Sequence, residues 1–187
     1  MNKVQKLQKI AKEIELCSIC KHNKSGKAVP GEGSPDAEII FVGEAPGKTE
    51  SLIGRPFIGR SGKYFRSVLA KNGFKTDEIF ITSPVKYLPD SKTPSLKDIE
   101  HGKVHLLKQL SVIDPKIIVL MGNVACLGIL NDKISCTTRH GELVQDKYFI
   151  TVHPAAAMRF PKVRKIFEKD LKSLKFLIDK GSFNVQN

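Results

Sequence analysis

The chain has 187 residues, 41% of them hydrophobic and 27% charged. That length and balance suit one soluble domain with a single buried core, and no apolar run approaches the ~20 residues that cross a bilayer. Lys and Arg number 31 against 19 Asp and Glu, a net charge of +12, so the field of the molecule attracts polyanions, nucleic acid first, in preference to the plainer reading of a lysine-rich solvating surface.

The N-terminal segment, "MNKVQKLQKIAKEIEL", carries Val4, Leu7, Ile10, Ala11 and Ile14 at helical spacing, which predicts a helix over residues 2–16. It lacks the continuous apolar stretch and small-residue cleavage site of a secretory signal, so a cytoplasmic location is expected. "CSIC" at 17–20 follows in a polar context and reads as half of a metal or redox site. A Gly/Pro/Lys loop occupies 21–37 and a strand, "EIIFV", 38–42. The Gly/Pro-rich loop 43–60 leads into a helix from Ser61. A strand spans 79–82 and a polar, proline-bearing loop 84–94. Ser95 with Asp98 forms the capping-box pattern of a long helix. A strand at 116–122, a short helix at 123–130, a strand at 147–152 and a helix over 161–180 complete the series. Cys126 lies in the apolar "NVACLGIL" and reads as a small buried hydrophobe. Cys136 falls near a loop with no sign of a reactive thiol.

Short apolar strands alternating with helices predict an α/β fold: a three-layer αβα arrangement with a central four-stranded parallel sheet. One domain is expected over 1–180, with 181–187 a frayed tail in which no clamp-binding motif stands out. The ligand site of such a sheet lies at the carboxyl ends of its strands, so the loops after Val42, Thr82 and Val152 carry the candidates.

After Val42 comes "GEAPGKTESLIGRPFIGRSG". Its glycines and prolines fix a backbone whose N–H groups can hold an oxygen-rich group. Glu44 points a carboxylate at the cleft, suited to positioning a water, and Phe57 offers a flat face. After Val152, "HPAAAMRFP" places His153 at the cleft. The small residues and apolar tip of this loop, Ala155 and Met158 with Arg159 beside them, suit entry into a nucleic-acid groove. No G-x-G-x-x-G follows the first strand, which disfavours a dinucleotide-binding protein.

"GEAPG", "GRPFIGRSG" and "HPAA", in this order and at these strand ends, resemble the uracil-DNA glycosylase superfamily, most closely its iron–sulfur type, family four, over about residues 17–172. The resemblance implies a monomeric enzyme, associated with the prokaryotic nucleoid. It would flip a damaged base, uracil or another deaminated one, from DNA and hydrolyse its N-glycosidic bond in base excision repair. It implies Glu44 and His153 as catalytic residues, and Gly43, Ala45, Glu50, Phe57 and Ser83 around the base. Arg60, Ser61, Gly62, Lys63, Lys86, Ala155, Met158 and Arg159 would contact DNA, with Ser61 and Gly62 at a helix start holding a phosphate.

Two departures stand against this pattern. Where the family has a base-reading Asn, in a run like "ITNVVKC", this chain has "ITSPVKY", with Ser83 at that place. A hydroxyl makes only a subset of an amide's contacts, so either slower uracil excision, a shifted base preference or a DNA-binding damage sensor is open. The family also implies a [4Fe–4S] cluster held by four cysteines. Cys17 and Cys20 match the first two, but the remaining ligand positions fall on Tyr87 and Gly102. The expectation is therefore a chain without a cofactor, its cysteine pair a remnant free dithiol or disulfide-capable pair in a loop held by packing around Tyr87. His101 and His105, at i, i+4, flank the vacated site and form with the cysteine pair a Cys2His2 alternative.

Overall fold

Ile39–Val42 (β3), Ile79–Thr82 (β4), Ile117–Met121 (β6) and Tyr148–Thr151 (β8) lie side by side in the order β4-β3-β6-β8, all parallel. Their side chains alternate between two apolar layers. Phe41, Ile79, Ile81, Val119, Met121 and Phe149 face one way, while Ile40, Val42, Phe80, Ile118, Leu120 and Ile150 face the other. Both faces are therefore buried, which is why these strands read as continuous apolar runs.

The computed structural model describes residues 1–132 and 134–181. Before the first core strand come Lys3–Leu16 (α1), Ser18–Lys21 (α2), Lys24–Ser25 (β1) and Glu32–Gly33 (β2). Between the core strands lie Lys48–Ile53 (α3), Arg60–Lys71 (α4), Leu88–Pro89 (β5), Leu96–Ile113 (α5), Asn123–Leu130 (α6) and Leu143–Val144 (β7). Pro154–Arg159 (α7) and Pro161–Asp179 (α8) follow β8. The predicted capping box is present, with Ser95 Oγ accepting from Asp98 N and the Asp98 carboxylate accepting from Ser95 N.

Helices α4, α7 and α8 cover one face, and α1, α5 and α6 the other. The first layer is knit by aromatics: Phe41 meets Phe65 at 5.2 Å and Phe74 at 5.9 Å between ring centroids, both edge to face, the arrangement that ring quadrupoles favour. The three-layer plan stands, but among the described residues the sheet has six strands rather than four. β2 pairs antiparallel with β4 and β7 antiparallel with β8. Each is a dipeptide, too short to show a period-2 pattern. The expected tail lies outside the described residues apart from Gly181.

β3 is followed by β4 on one side and by β6 on the other, so the chain reverses its direction of winding there, and a crevice opens above the strand ends. Register brings Val42, Thr82 and Leu120 level, and Met121 level with Thr151. The residues just beyond these positions build the site.

Candidate active site

A cleft of about 520 Å³ sits at the carboxyl ends of the parallel strands. Glu44, Ala45, Glu50, Phe57, Ser61, Ser83, His153 and Ala155 all line it, so three loops far apart in sequence converge as expected.

His153 is the N-cap of α7: Pro154 takes the first helical position, and Nδ1 of the imidazole accepts the backbone N–H of Ala155 at 3.2 Å. Burial pushes the imidazole pKa down to about 4, so the ring is neutral at pH 7. With Nδ1 accepting, the single ring proton resides on Nε2. That nitrogen faces the Gly43 side of the cleft, where a Cβ on Gly43 would lie 3.8 Å from it. The site thus presents a fixed, uncharged N–H donor.

Glu44 stands two residues beyond β3, half-buried in the cleft wall, and burial raises its pKa above the usual carboxylate value. Desolvation makes a carboxylate a stronger base, and at neutral pH it remains able to orient water.

Phe57 adopts φ of +52°, a left-handed conformation that a bulky residue holds only when its surroundings impose it. Two side chains do so. Glu50 Oε1 accepts the N–H groups of Ile58 (3.0 Å) and Gly59 (2.8 Å). Arg66 donates Nε to the Phe57 carbonyl (3.0 Å) and Nη2 to the Pro56 carbonyl (3.1 Å). The ring then lies 5.1 Å from Phe65 and 6.0 Å from His153 between centroids. Gly43 is buried under it, and a Cβ there would meet the Phe57 ring at 2.5 Å. Glu50 was expected around the base. It does line the cleft, but its carboxylate also braces the Phe57 turn. Arg66 was missed, because nothing local in "RSVLA" marks it.

Ser83 is buried, and its hydroxyl donates to the Val85 carbonyl at 2.8 Å. Its only proton is thereby engaged, which leaves lone pairs toward the cleft. Lys48, Asp90 and Lys92 also line the cleft. Lys48 lies in the Gly/Pro-rich loop 43–60 and Asp90 and Lys92 in the polar loop 84–94, and none of the three was singled out from sequence.

The expected DNA-contacting residues divide. Arg60, Lys63, Ala155 and Arg159 are exposed, and Ser61 is half-buried at the cleft. Lys86 is a correction. Its side chain is fully enclosed, and Nζ donates to Pro30 O (3.0 Å), Thr82 Oγ1 (2.7 Å) and Gln109 Oε1 (2.8 Å), so it is an internal tie and cannot reach a phosphate. Gly62 is likewise buried, and a Cβ there would lie 2.1 Å from the Phe57 carbonyl carbon, so its smallness serves close packing of α4 on the Phe57 turn. The segment expected as a groove-entering loop is helical α7. Met158 is half-buried, and the exposed apolar tip is Phe160, with the Arg159 guanidinium 5.4 Å from its ring centroid.

Neither cysteine of the Cys17–Cys20 pair lines the cleft. Cys20, Tyr87, Ile10 and Ile14 form a small core with Cys17 packed against it, so the loop is held by packing around Tyr87 as expected. The Tyr87 hydroxyl is directed at the Ile14 and Glu15 carbonyls, 3.5 and 3.4 Å away. Gly102 faces the other way: a Cβ there would lie 2.0 Å from the Pro84 carbonyl oxygen. The side chains that do meet the cysteines are His101 and His105. Cys126 and Cys136 are a separate buried pair with Sγ atoms 3.2 Å apart; Cys136 lies in a turn, as the sequence suggested, and its side chain packs into the core.

A family model described as the uracil DNA glycosylase superfamily matches residues 30–175. Over 185 residues the chain is 39% identical to a type-4 uracil-DNA glycosylase of Sulfurisphaera tokodaii, covering 91% of this chain and 84% of the relative. It is 34% identical over 186 residues to one of Archaeoglobus fulgidus, covering 91% and 92%. A type-5 uracil-DNA glycosylase of Pyrobaculum aerophilum is 26% identical over 151 residues, covering 70% of this chain and 66% of its own.

Proposed function

Because the chain belongs to the uracil-DNA glycosylase superfamily, we propose that it hydrolyses the N-glycosidic bond of a deaminated base, uracil foremost, flipped out of DNA into the cleft. The observation that carries this reading is His153 Nδ1 accepting the Ala155 N–H, which leaves Nε2 as the donor into the cleft it shares with Glu44 and Phe57.

Breaking the bond leaves negative charge on the departing base and positive charge on the sugar. Phe57 stacks on the flipped base. His153 Nε2–H donates to the base carbonyl as it gains negative charge, and a donor already in place needs no reorganisation at that moment. A neutral imidazole does this without first having to lose or gain a proton. Glu44 holds a water for attack at the sugar carbon, and its carboxylate favours the developing positive charge there. Arg60, Ser61, Lys63, Ala155, Met158 and Arg159 take the phosphate backbone and the groove on either side of the cleft, in keeping with the net charge of +12. The enzyme acts as a monomer on nucleoid DNA in the cytoplasm.

Ser83 sets the base selectivity. With its proton given to Val85 O, the hydroxyl accepts from a base but does not donate. It therefore separates uracil from cytosine less sharply than an amide that does both. A slow or relaxed glycosylase follows, and a pure damage sensor is the limiting case.

The residues do not fit a [4Fe–4S] cluster. Tyr87 is turned to the backbone of α1, and position 102 has no room for a side chain against Pro84, so no step of the reaction is assigned to one.

Oligonucleotide duplexes carrying uracil, hypoxanthine, xanthine or an oxidised purine, treated with the protein and then with alkali, test the reading. Strand cleavage at uracil that disappears with His153→Ala supports it. Tight binding without abasic product overturns it in favour of the sensor.

A further inference from the structure

We propose that Cys17, Cys20, His101 and His105 form a tetrahedral site for a single divalent ion of the zinc class, which replaces the cluster used by iron–sulfur relatives.

Sγ of both cysteines and one ring nitrogen from each histidine all lie within 4.8 Å of one another. Cys17 Sγ and His101 Nε2 are 3.1 Å apart. Bonds of ~2.3 Å to sulfur and ~2.0 Å to nitrogen give tetrahedral edges of roughly 3.3–3.8 Å, so small side-chain rotations close the set on one ion. A four-iron cube, with one ligand on each iron, spreads its ligand atoms farther apart than this. Two sulfurs and two imidazoles suit zinc rather than a hard, oxygen-seeking cation.

Local structure prepares the site. Cys17 caps the turn of α2, where its sulfur accepts the Cys20 N–H at 3.4 Å, the arrangement that stabilises a metal-bound thiolate. His101 and His105 are one turn apart on α5, so both imidazoles reach the same point. Nδ1 of His105 is buried and has no hydrogen-bond partner among the described residues. An unpartnered buried ring nitrogen is costly unless something completes it. An ion bound through Nδ1 would do so, with two thiol protons released to solvent on binding.

The position gives the site a use. Four residues after Cys20, Lys24–Ser25 pairs with Leu88–Pro89, and Ser25, Leu88 and Pro89 line the cleft. An ion joining α2 to α5 therefore stiffens the ribbon that forms one cleft wall.

The test is independent of glycosylase activity. Protein expressed with both iron and zinc supplied, and purified without oxygen, is assayed for zinc, iron and acid-labile sulfide. About one zinc per chain is expected, falling to background in Cys20→Ser and His101→Ala and unchanged in Cys126→Ser. Cobalt added to chelator-stripped protein is expected to give tetrahedral visible bands with thiolate charge transfer. His105→Cys keeps four ligands, so it is expected to retain the ion and strengthen the charge transfer, a readout that survives if the other variants fold poorly. Stoichiometric iron with sulfide, a metal-free wild-type protein, or zinc retained in the Cys17→Ser/Cys20→Ser double variant would each overturn the proposal.

Discussion

His153 Nδ1 accepts the backbone N–H of Ala155 at 3.2 Å. This one contact caps α7 and decides which ring nitrogen carries the proton. The same bond that starts the helix aims a donor into the cleft, which couples local folding directly to chemistry. His153→Ala removes that donor, and a loss of about 10²–10³ in the single-turnover rate is expected, the size seen for one preorganised oxyanion donor. His153→Asn, which can cap and still donate, is expected to recover part of it. Equal losses in the two variants would contradict the donor role.

The pH profile separates Glu44 from His153. Burial raises the Glu44 pKa above its ordinary value of 4.5, while that of His153 is lowered to about 4. As pH falls, the carboxylate protonates first and stops orienting water, while the imidazole is still neutral. The rate is expected to fall about tenfold per pH unit along an acid limb lying above pH 4.5. In Glu44→Gln the rate is low throughout and that limb is absent. A limb unchanged in Glu44→Gln would show that another group controls it.

Ser83→Asn supplies the amide that can donate and accept together. The expected outcome is faster excision from a U:G duplex, by about tenfold if one further hydrogen bond forms in the transition state. If the variant is no faster than the parent, Ser83 does not limit the reaction.

Glu50, through the N–H groups that follow Phe57, and Arg66, through the Phe57 carbonyl and the preceding one, hold Phe57 at its positive φ. Arg66→Ala frees the Pro56 and Phe57 carbonyls and lets the ring leave its place. A drop in kcat/KM of about tenfold is expected, with fluorescence of a base analogue in the cleft reporting weaker stacking. Unchanged stacking would mean that the Gly43 floor alone fixes the ring.

Lys86 and Lys63 make a paired test of burial. Lys86→Met leaves Pro30 O, Thr82 Oγ1 and Gln109 Oε1 without their shared donor, so a stability loss of about 2–4 kcal/mol is expected. The salt dependence of DNA binding should not change. Lys63→Ala should leave stability nearly intact and lower the slope of log K against log salt by about one. The reverse pattern would return Lys86 to the DNA surface.

The four core strands are legible in the sequence because both sheet faces are buried, which turns each strand into an apolar run such as "IIVLM". α7 also left a signal, since Pro154 before an alanine run is the pattern of a helix start, but its proximity to His153 reads more easily as a loop. α3 is hidden among glycines and prolines. The burial of Lys86 left no local trace, because its acceptors come from residues 30, 82 and 109, which only the fold brings together. His101 and His105 announce themselves by spacing. That they face Cys17 and Cys20, while Gly102 faces Pro84, depends on the rotation of α5 against the core, which the sequence pattern leaves free by one residue.

The central claim is tested most directly by a single-turnover time course on a U:G duplex, read as alkali-labile abasic sites, with wild-type protein and His153→Ala side by side. The account predicts uracil release by the wild type and a rate lower by about 10²–10³ in the variant, with DNA affinity preserved. Wild-type protein that binds the duplex without releasing uracil, or a His153→Ala variant as fast as the wild type, would contradict it.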